Sequence, residues 1–195
     1  MTRPPIELLV LDGQGVVFSA PFASFLDQLA QATGRPVEMV ERRWRELRAD
    51  LWTGRLAETE LWRRLIAGDD GSHWGATLEA SYAAGPAAGD LPAWSSRVPI
   101  WLLSNHVTAW MDRRLARLDL RRWFARILVS DALGFMKPDP RAFAPVLAAV
   151  SRPAAALFVD DQARNVEAAR DLGLTAVLAD PQGRWRREIE AWLPP

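Results

Sequence analysis

Polar residues able to do chemistry recur at one kind of place in this sequence, directly after or near a short apolar run. Asp12 follows Leu8-Leu9-Val10-Leu11 and leads into Gly13-Gln14-Gly15, where the glycines permit a sharp turn. Ser104-Asn105-His106 follows Ile100-Trp101-Leu102-Leu103, and Lys137 stands in Gly134-Phe135-Met136-Lys137-Pro138-Asp139-Pro140. Asp160-Asp161 follows Ala155-Ala156-Leu157-Phe158-Val159, with Asn165 shortly after. Carboxylates brought close together repel unless a cation lies between them, and hard oxygen ligands with few protein donors suit Mg2+. The metal and the ammonium of Lys137 would offset the charge of a phosphoryl group, while Ser104 and Asn105 hydrogen-bond its oxygens. Asp12 is then placed to attack phosphorus and form an aspartyl-phosphate. Taken singly, each stretch has a plainer reading. Asp12 caps a turn, Asp160-Asp161 is a solvated turn with Asp161 at a helix N-cap, and Ser104-Asn105 caps the following helix. All four strand ends being ordinary caps at once is the weaker account.

Composition narrows the field. The 195 residues, 49% of them apolar, suffice for one core or for a core with a smaller insert. Formal net charge is zero, so no basic footprint points to nucleic acid. There is no cysteine, which removes thiolate nucleophiles, thiolate metal sites and disulfides. No apolar run approaches the roughly 18 residues of a membrane span, and Met1-Thr2-Arg3-Pro4-Pro5 lacks the pattern of a signal peptide. A cytoplasmic protein is the expectation. Of 24 basic residues only Lys137 is lysine, which suggests a site that needs a compact ammonium instead of a planar fork. The ten Trp include several in the Arg-rich segments 42–64 and 184–192, and read as packing and cation–π contacts. Trp44, Trp52 and Trp62 either line an entrance or fill a core, with core preferred. His73 and His106 read as surface or packing residues, His106 being the better functional candidate because it adjoins Ser104-Asn105.

The elements that must position these groups follow from periodicity. Residues 8–11, 98–103, 126–129, 155–159 and 174–178 read as strands, the first a short continuous apolar run typical of a buried parallel strand. Pro99 must sit at the start of its strand. Helices are predicted over 108–118, 139–150, 165–172 and 184–193. Strands alternating with helices imply βαβ units and a parallel sheet. Active sites of open α/β sheets lie at the carboxyl ends of the strands. Residues 20–85 show no strand pattern, only helical periods over 21–33, 37–51, 58–67 and 74–84, with Asp69-Asp70-Gly71 ending the third. The predicted architecture is an α/β Rossmann-like core of residues 1–18 and 87–195, a three-layer αβα arrangement, with a helical insert over 19–86.

In chain order the four polar stretches resemble the four motifs of the haloacid dehalogenase-like hydrolase superfamily. Asp12 matches the nucleophile, Ser104 the phosphate-binding Ser/Thr, Lys137 the stabilising lysine, and Asp160-Asp161 the acidic metal motif. Gly134-x-x-Lys137-Pro-Asp-Pro-x-x-Phe143 and Asp160-Asp161-x-x-x-Asn165 are the most specific segments. The insert matches the position of the superfamily's helical cap. Gly54 followed by Glu60-Leu61-Trp62 resembles caps of the branch containing sugar-phosphate phosphatases and the phosphatase domain of epoxide hydrolases. The resemblance covers nearly the whole chain. It implies Mg2+ held by Asp12, the backbone carbonyl of Gln14, and Asp160-Asp161, with a cap closing over a small phosphate ester.

One position departs from the pattern. The usual phosphatase motif is Asp-x-Asp-Gly, and its second Asp protonates the leaving group and later activates water. Here that position is Gln14, whose amide does not titrate near neutral pH. Dehalogenases carry an aromatic residue there and use no metal, against which Asp160-Asp161 argues. Phosphonate hydrolases take a Schiff-base lysine from the cap, and this cap has no lysine. Some phosphatases of the branch also lack the Asp. The expected function is a Mg2+-dependent phosphatase acting through Asp12 on esters with good leaving groups. The alternatives are a catalytically impaired relative that binds a phosphorylated ligand or a protein partner, and, more distantly, a dehalogenase.

Overall fold

The computed structural model describes residues 5–19, 21–66 and 72–195. The first strand, β1 (Leu8–Leu11), is apolar at every position because it lies in the middle of the sheet and is buried on both faces. Leu9 and Leu11 enter one apolar cluster and Leu8 and Val10 the other, the two-residue alternation of a pleated strand. β1 pairs in parallel with β2 (Ile100–Ser104) and β4 (Ala156–Asp160). β3 (Arg126–Val129) and β5 (Thr175–Leu178) complete a five-stranded parallel sheet of order β3-β2-β1-β4-β5. The predicted Rossmann-like α/β core is present.

Between β1 and β2 come α1 (Phe22–Thr33), α2 (Val37–Trp52), α3 (Glu58–Ile66) and α4 (Ser72–Ser81), followed by the short α5 (Leu91–Ser95). The predicted Asp69-Asp70-Gly71 stop, and the extension of the third helix to Ala67, lie outside the described residues. Further along are α6 (Thr108–Arg117), α7 (Ser130–Leu133), α8 (Pro140–Leu147), α9 (Ala163–Asp171) and α10 (Arg184–Trp192).

The differences from the sequence reading are local. β2 begins at Ile100 because Pro99 has no N–H to give, although its carbonyl accepts from Leu9 N at 3.1 Å. α4 stops at Ser81, and the chain beyond it extends. Ala83 O accepts from Ser19 N, and Ala84 bridges Phe18. α5 has no counterpart among the predicted helices; Pro92 suits the first turn of a helix, and Leu91 and Trp94 are buried. α7 is one turn, too short to show a period.

The helices α1–α4 do not form a separate core. One apolar cluster runs from Phe25, Trp44 and Leu61 of the insert to Trp110 and Leu115 of α6 and on to Leu9 and Leu11. Trp62 of α3 stacks on Trp110 with ring centroids 5.8 Å apart. The insert and the sheet are thus joined by continuous apolar packing that runs through α6.

Candidate active site

β1, β2 and β4 are neighbours, so their carboxyl ends bring Asp12, Ser104 and Asp160 to one rim. The turn after β1 is tight. Val17 N and Phe18 N both donate to Gly13 O at 2.9 Å, and Gly15 N donates to Phe18 O at 2.9 Å. Gly15 holds φ at +82°, and a Cβ there would stand 2.3 Å from Asp161 Oδ2. A Cβ on Gly13 would stand 2.7 Å from Ser104 Oγ. Both glycines are therefore required by close approach: the Asp12–Gly15 backbone is pressed between Ser104 and Asp161.

Lys137 reaches this rim from the β3–α8 connection and is buried. Its Nζ donates to Asp12 Oδ1 at 2.6 Å, Asp160 Oδ2 at 2.7 Å and Leu103 O at 2.7 Å. An ammonium has three N–H donors and here all three are used, which accounts for a lysine where every other basic residue is arginine. Burial opposes its charge, but Asp12 and Asp160 outweigh burial and hold the Lys137 pKa above its ordinary value. Lys137 therefore meets an incoming anion with its charge, its donors being already engaged.

Asp160 is fully buried and fully engaged. Oδ1 accepts from Gln162 N at 2.8 Å, and Asn165 Nδ2 donates to both oxygens at 3.0 Å. Asp12 gives one oxygen to Lys137, and among the described residues Oδ2 has no side-chain or backbone donor. Asp161 is exposed. Partial desolvation of its carboxylate against the site, then the neighbouring Asp160, raises its pKa above the ordinary carboxylate value. Burial also pushes Asp12 up to about 7, with Asp160 and Asp161 adding to the effect and Lys137 opposing it. Carboxylate oxygens of Asp12, Asp160 and Asp161 lie within 4.8 Å of one another. Three carboxylates against one ammonium leave excess negative charge at a cluster of hard oxygen donors. That donor set fits a hard divalent cation such as Mg2+.

Asn105 does not face the cluster as the sequence suggested. Its Nδ2 donates to Lys137 O at 2.8 Å, and its Oδ1 accepts from Lys137 N at 2.8 Å. Both polar ends of the amide bond the backbone of the lysine, so the side chain positions Lys137. Ser104 is buried over Gly13 as described. His106 is buried too, with Val107 N donating to its Nδ1 at 2.9 Å and Arg114 Nη2 lying 3.1 Å from Nε2. Burial, reinforced by Arg114, lowers its pKa well below the usual histidine value, so it is a neutral packing residue. His73 is exposed and packs on Trp74.

Gln14 is half-buried beside Asp161, and its Oε1 accepts from Tyr82 Oη in a long 3.4 Å contact. Tyr82, the single tyrosine of the chain, was not singled out in the sequence. Its rarity was the available signal, as it was for Lys137. Burial pushes its phenol up to about 12, so near neutral pH it donates hydrogen bonds and does not release a proton. Arg114 of α6 lies 3.4 Å from the Tyr82 ring centroid and forms a buried bidentate pair with Glu79 of α4, at 2.6 and 3.1 Å. Gln14 and Asp161 also border a cavity of about 160 Å3, whose other wall carries Phe22, Trp44, Arg48 and Trp52. Trp44 is buried in the apolar cluster, as the sequence reading preferred, and Trp52 is half-buried against it, while both also border this cavity. Trp62 fills the core as well.

The family model described as haloacid dehalogenase-like hydrolase matches residues 88–173. A phosphatase of Mycobacterium tuberculosis (strain CDC 1551 / Oshkosh) is 29% identical over 197 residues, covering 93% of this chain and 90% of that protein. Among solved structures, a HAD family enzyme from Bacteroides thetaiotaomicron, in complex with magnesium and inorganic phosphate, has a TM-score of 0.79. It is 17% identical, with 94% of this chain and 98% of that one covered. An L-2-haloacid dehalogenase from Xanthobacter autotrophicus has a TM-score of 0.66 at 21% identity, covering 97% of this chain and 85% of that one. The structural likenesses bear on the fold. The chain thus matches the haloacid dehalogenase-like hydrolase model over residues 88–173 and shares its fold with HAD family enzymes.

Proposed function

We propose that the protein is a Mg2+-dependent phosphatase of small phosphorylated metabolites that acts through an aspartyl-phosphate on Asp12. The observation that carries this reading is the free Oδ2 of Asp12 beside a charged, fully engaged Lys137 and two further carboxylates. The 29% identical phosphatase supports it. Asp12 and Asp161 would supply carboxylate oxygens to Mg2+, Gln14 its backbone carbonyl, and Asp160 a third acidic group already tied to Lys137 and Asn165. When bound, Mg2+ offsets the negative charge of the carboxylates and the phosphoryl oxygens. Residues 19–86 act as the cap over a core of residues 1–18 and 87–195.

In the first step Asp12 Oδ2 attacks phosphorus, and the bond from phosphorus to the leaving oxygen breaks. In the second, water attacks the phosphoryl group, releasing inorganic phosphate and regenerating the carboxylate. Lys137 stabilises negative charge in both steps and Ser104 hydrogen-bonds the phosphoryl oxygens. Asn105 holds the lysine in place. Gln14 can donate a hydrogen bond to the leaving oxygen but no proton, so the leaving group must depart as a stable anion. Anomeric sugar phosphates and acyl phosphates meet that requirement. Gln14 also favours a second reading, a scaffold that binds a phosphorylated ligand without turning it over.

The test is phosphate release from a panel of esters graded by leaving-group acidity, with and without Mg2+. Expected are Mg2+-dependent turnover, its loss in Asp12→Asn, and a preference for acidic leaving groups. Gln14→Asp is expected to raise turnover of alkyl phosphates by about 10²-fold or more, the usual worth of a positioned general acid. A parent that prefers alkyl phosphates would refute the leaving-group argument. A silent parent with an active Gln14→Asp would favour the binding scaffold.

A further inference from the structure

The cavity above the site has one cation on its insert wall, and that cation is unspent. Arg48 is half-buried on α2, and among the described residues no carboxylate pairs with it. Its contact is the Trp52 ring, whose centroid lies 5.6 Å from Cζ. Elsewhere the arginines are largely committed: Arg55 to Asp50, Arg97 to Glu190, Arg114 to Glu79, Arg141 to Asp139 and Arg186 to Asp90. The wall around Arg48 is aromatic. Trp44 meets Phe22 at a centroid distance of 4.3 Å and Trp52 edge-on at 5.7 Å. Opposite stand Gln14 and Asp161.

We infer that this cavity receives the leaving group, and that Arg48 selects phosphate esters whose leaving group carries a second anion on a flat body. The inference rests on the phosphatase reading for which side of the substrate enters here. Flat aromatic walls favour a planar guest. They also exclude water, which strengthens an ion pair formed beside them. A guanidinium with all its donors free matches a carboxylate or a second phosphate by paired hydrogen bonds. The dimensions agree, since a cavity of about 160 Å3 admits a leaving group no larger than a substituted ring. Arg48, Phe22 and Trp44 also border a neighbouring groove of about 350 Å3 on the outer side, where Arg45 adds a second cation and Glu41 an opposing charge. A negative substituent at the junction of the two spaces would face two guanidiniums and one carboxylate.

The experiment compares 3-carboxyphenyl phosphate with 3-carbamoylphenyl phosphate, two esters of similar size and similar leaving-group acidity, for the parent, Arg48→Met and Arg48→Lys. Resorcinol bisphosphate provides the arm in which the second anion is a phosphate. The expected result is a parent preference of about tenfold in kcat/KM for the carboxylate, carried mainly by KM, as for a charge-assisted hydrogen bond at a half-buried site. The ratio is expected to fall to near one in Arg48→Met and to survive in part in Arg48→Lys. Equal use of the two esters by the parent overturns the inference, as does a preference that persists in Arg48→Met. If no ester releases phosphate, the phosphatase reading falls, and calorimetric binding of the same pair then decides the role of Arg48. A carboxylate preference in affinity that Arg48→Met abolishes sustains the anion subsite, and equal affinities end it.

Discussion

At the scale of single residues, the site is defined by how each titratable group is satisfied. Lys137 has three acceptors for three N–H groups, an arrangement a guanidinium cannot copy. His106 shows the opposite case, an imidazole buried beside a cation and therefore kept neutral. Its folded pKa lies below that of the unfolded chain, so its contribution to stability is fully present above about pH 6.5. That contribution is lost as pH falls below 6.5 toward the folded value, where only the unfolded state gains the proton. The slope is about 1.4 kcal/mol per pH unit. Urea denaturation at pH 7.5 and pH 5 is expected to show a larger loss of stability in the parent than in His106→Gln. Equal losses would show that His106 titrates normally in the folded protein.

At the scale of elements, the turn from β1 toward α1 does most to shape the site. It packs Gly13 under Ser104 and Gly15 against Asp161, so two strand ends and one loop share a single constriction. Gly15→Ala places a Cβ where Asp161 Oδ2 now stands and puts a side chain at φ +82°. The left-handed backbone alone costs about 1–2 kcal/mol, and Asp161 must also move. The expected outcome is a clear drop in melting temperature together with weaker Mg2+ affinity, measured by thermal unfolding across a Mg2+ titration. Gly15→Ala with unchanged Mg2+ affinity would show that Asp161 is not a ligand. This turn was legible in part. Asp12, the glycines and the apolar strand announce it, whereas the approach of Asp161 belongs to the pairing of β1 with β4 and has no local signal.

At the scale of the whole molecule, the insert is joined to α6 by packing and by a buried ion pair. Glu79 of α4 and Arg114 of α6 are both buried, and Arg117 donates to Glu79 O at 2.7 Å. Burial raises the Glu79 pKa against the pull of Arg114, which marks the cost of desolvating the pair. Removing one partner strands the other, and Arg114 Nη1 already has no acceptor. Glu79→Ala is expected to cost about 3–5 kcal/mol in urea unfolding. The double replacement Glu79→Gln with Arg114→Met is expected to recover a substantial part, because it removes the stranded charge. A single substitution that costs less than about 1 kcal/mol would mean that water reaches the pair, as at exposed ion pairs.

What the sequence determined by itself was the pattern that local physics writes into residue order. Short, largely apolar runs marked the five strands, a helical period marked the insert, and polar residues at or after strand ends marked Asp12, Ser104, Lys137 and Asp160. Their convergence followed from a parallel sheet, since every strand then ends at the same rim. Tertiary structure alone decided what those residues touch. Asn105 could equally have met a phosphoryl oxygen, and only the path of the β3–α8 connection turns its amide onto Lys137. Tyr82 meets Gln14 across 68 positions of sequence, and Arg48 borders the same cavity as Gln14 and Asp161 because of how α2 packs in the folded chain. Periodicity gives the face of a helix that is buried. It carries no information about which distant loop that helix will cover, because that depends on how whole elements pack.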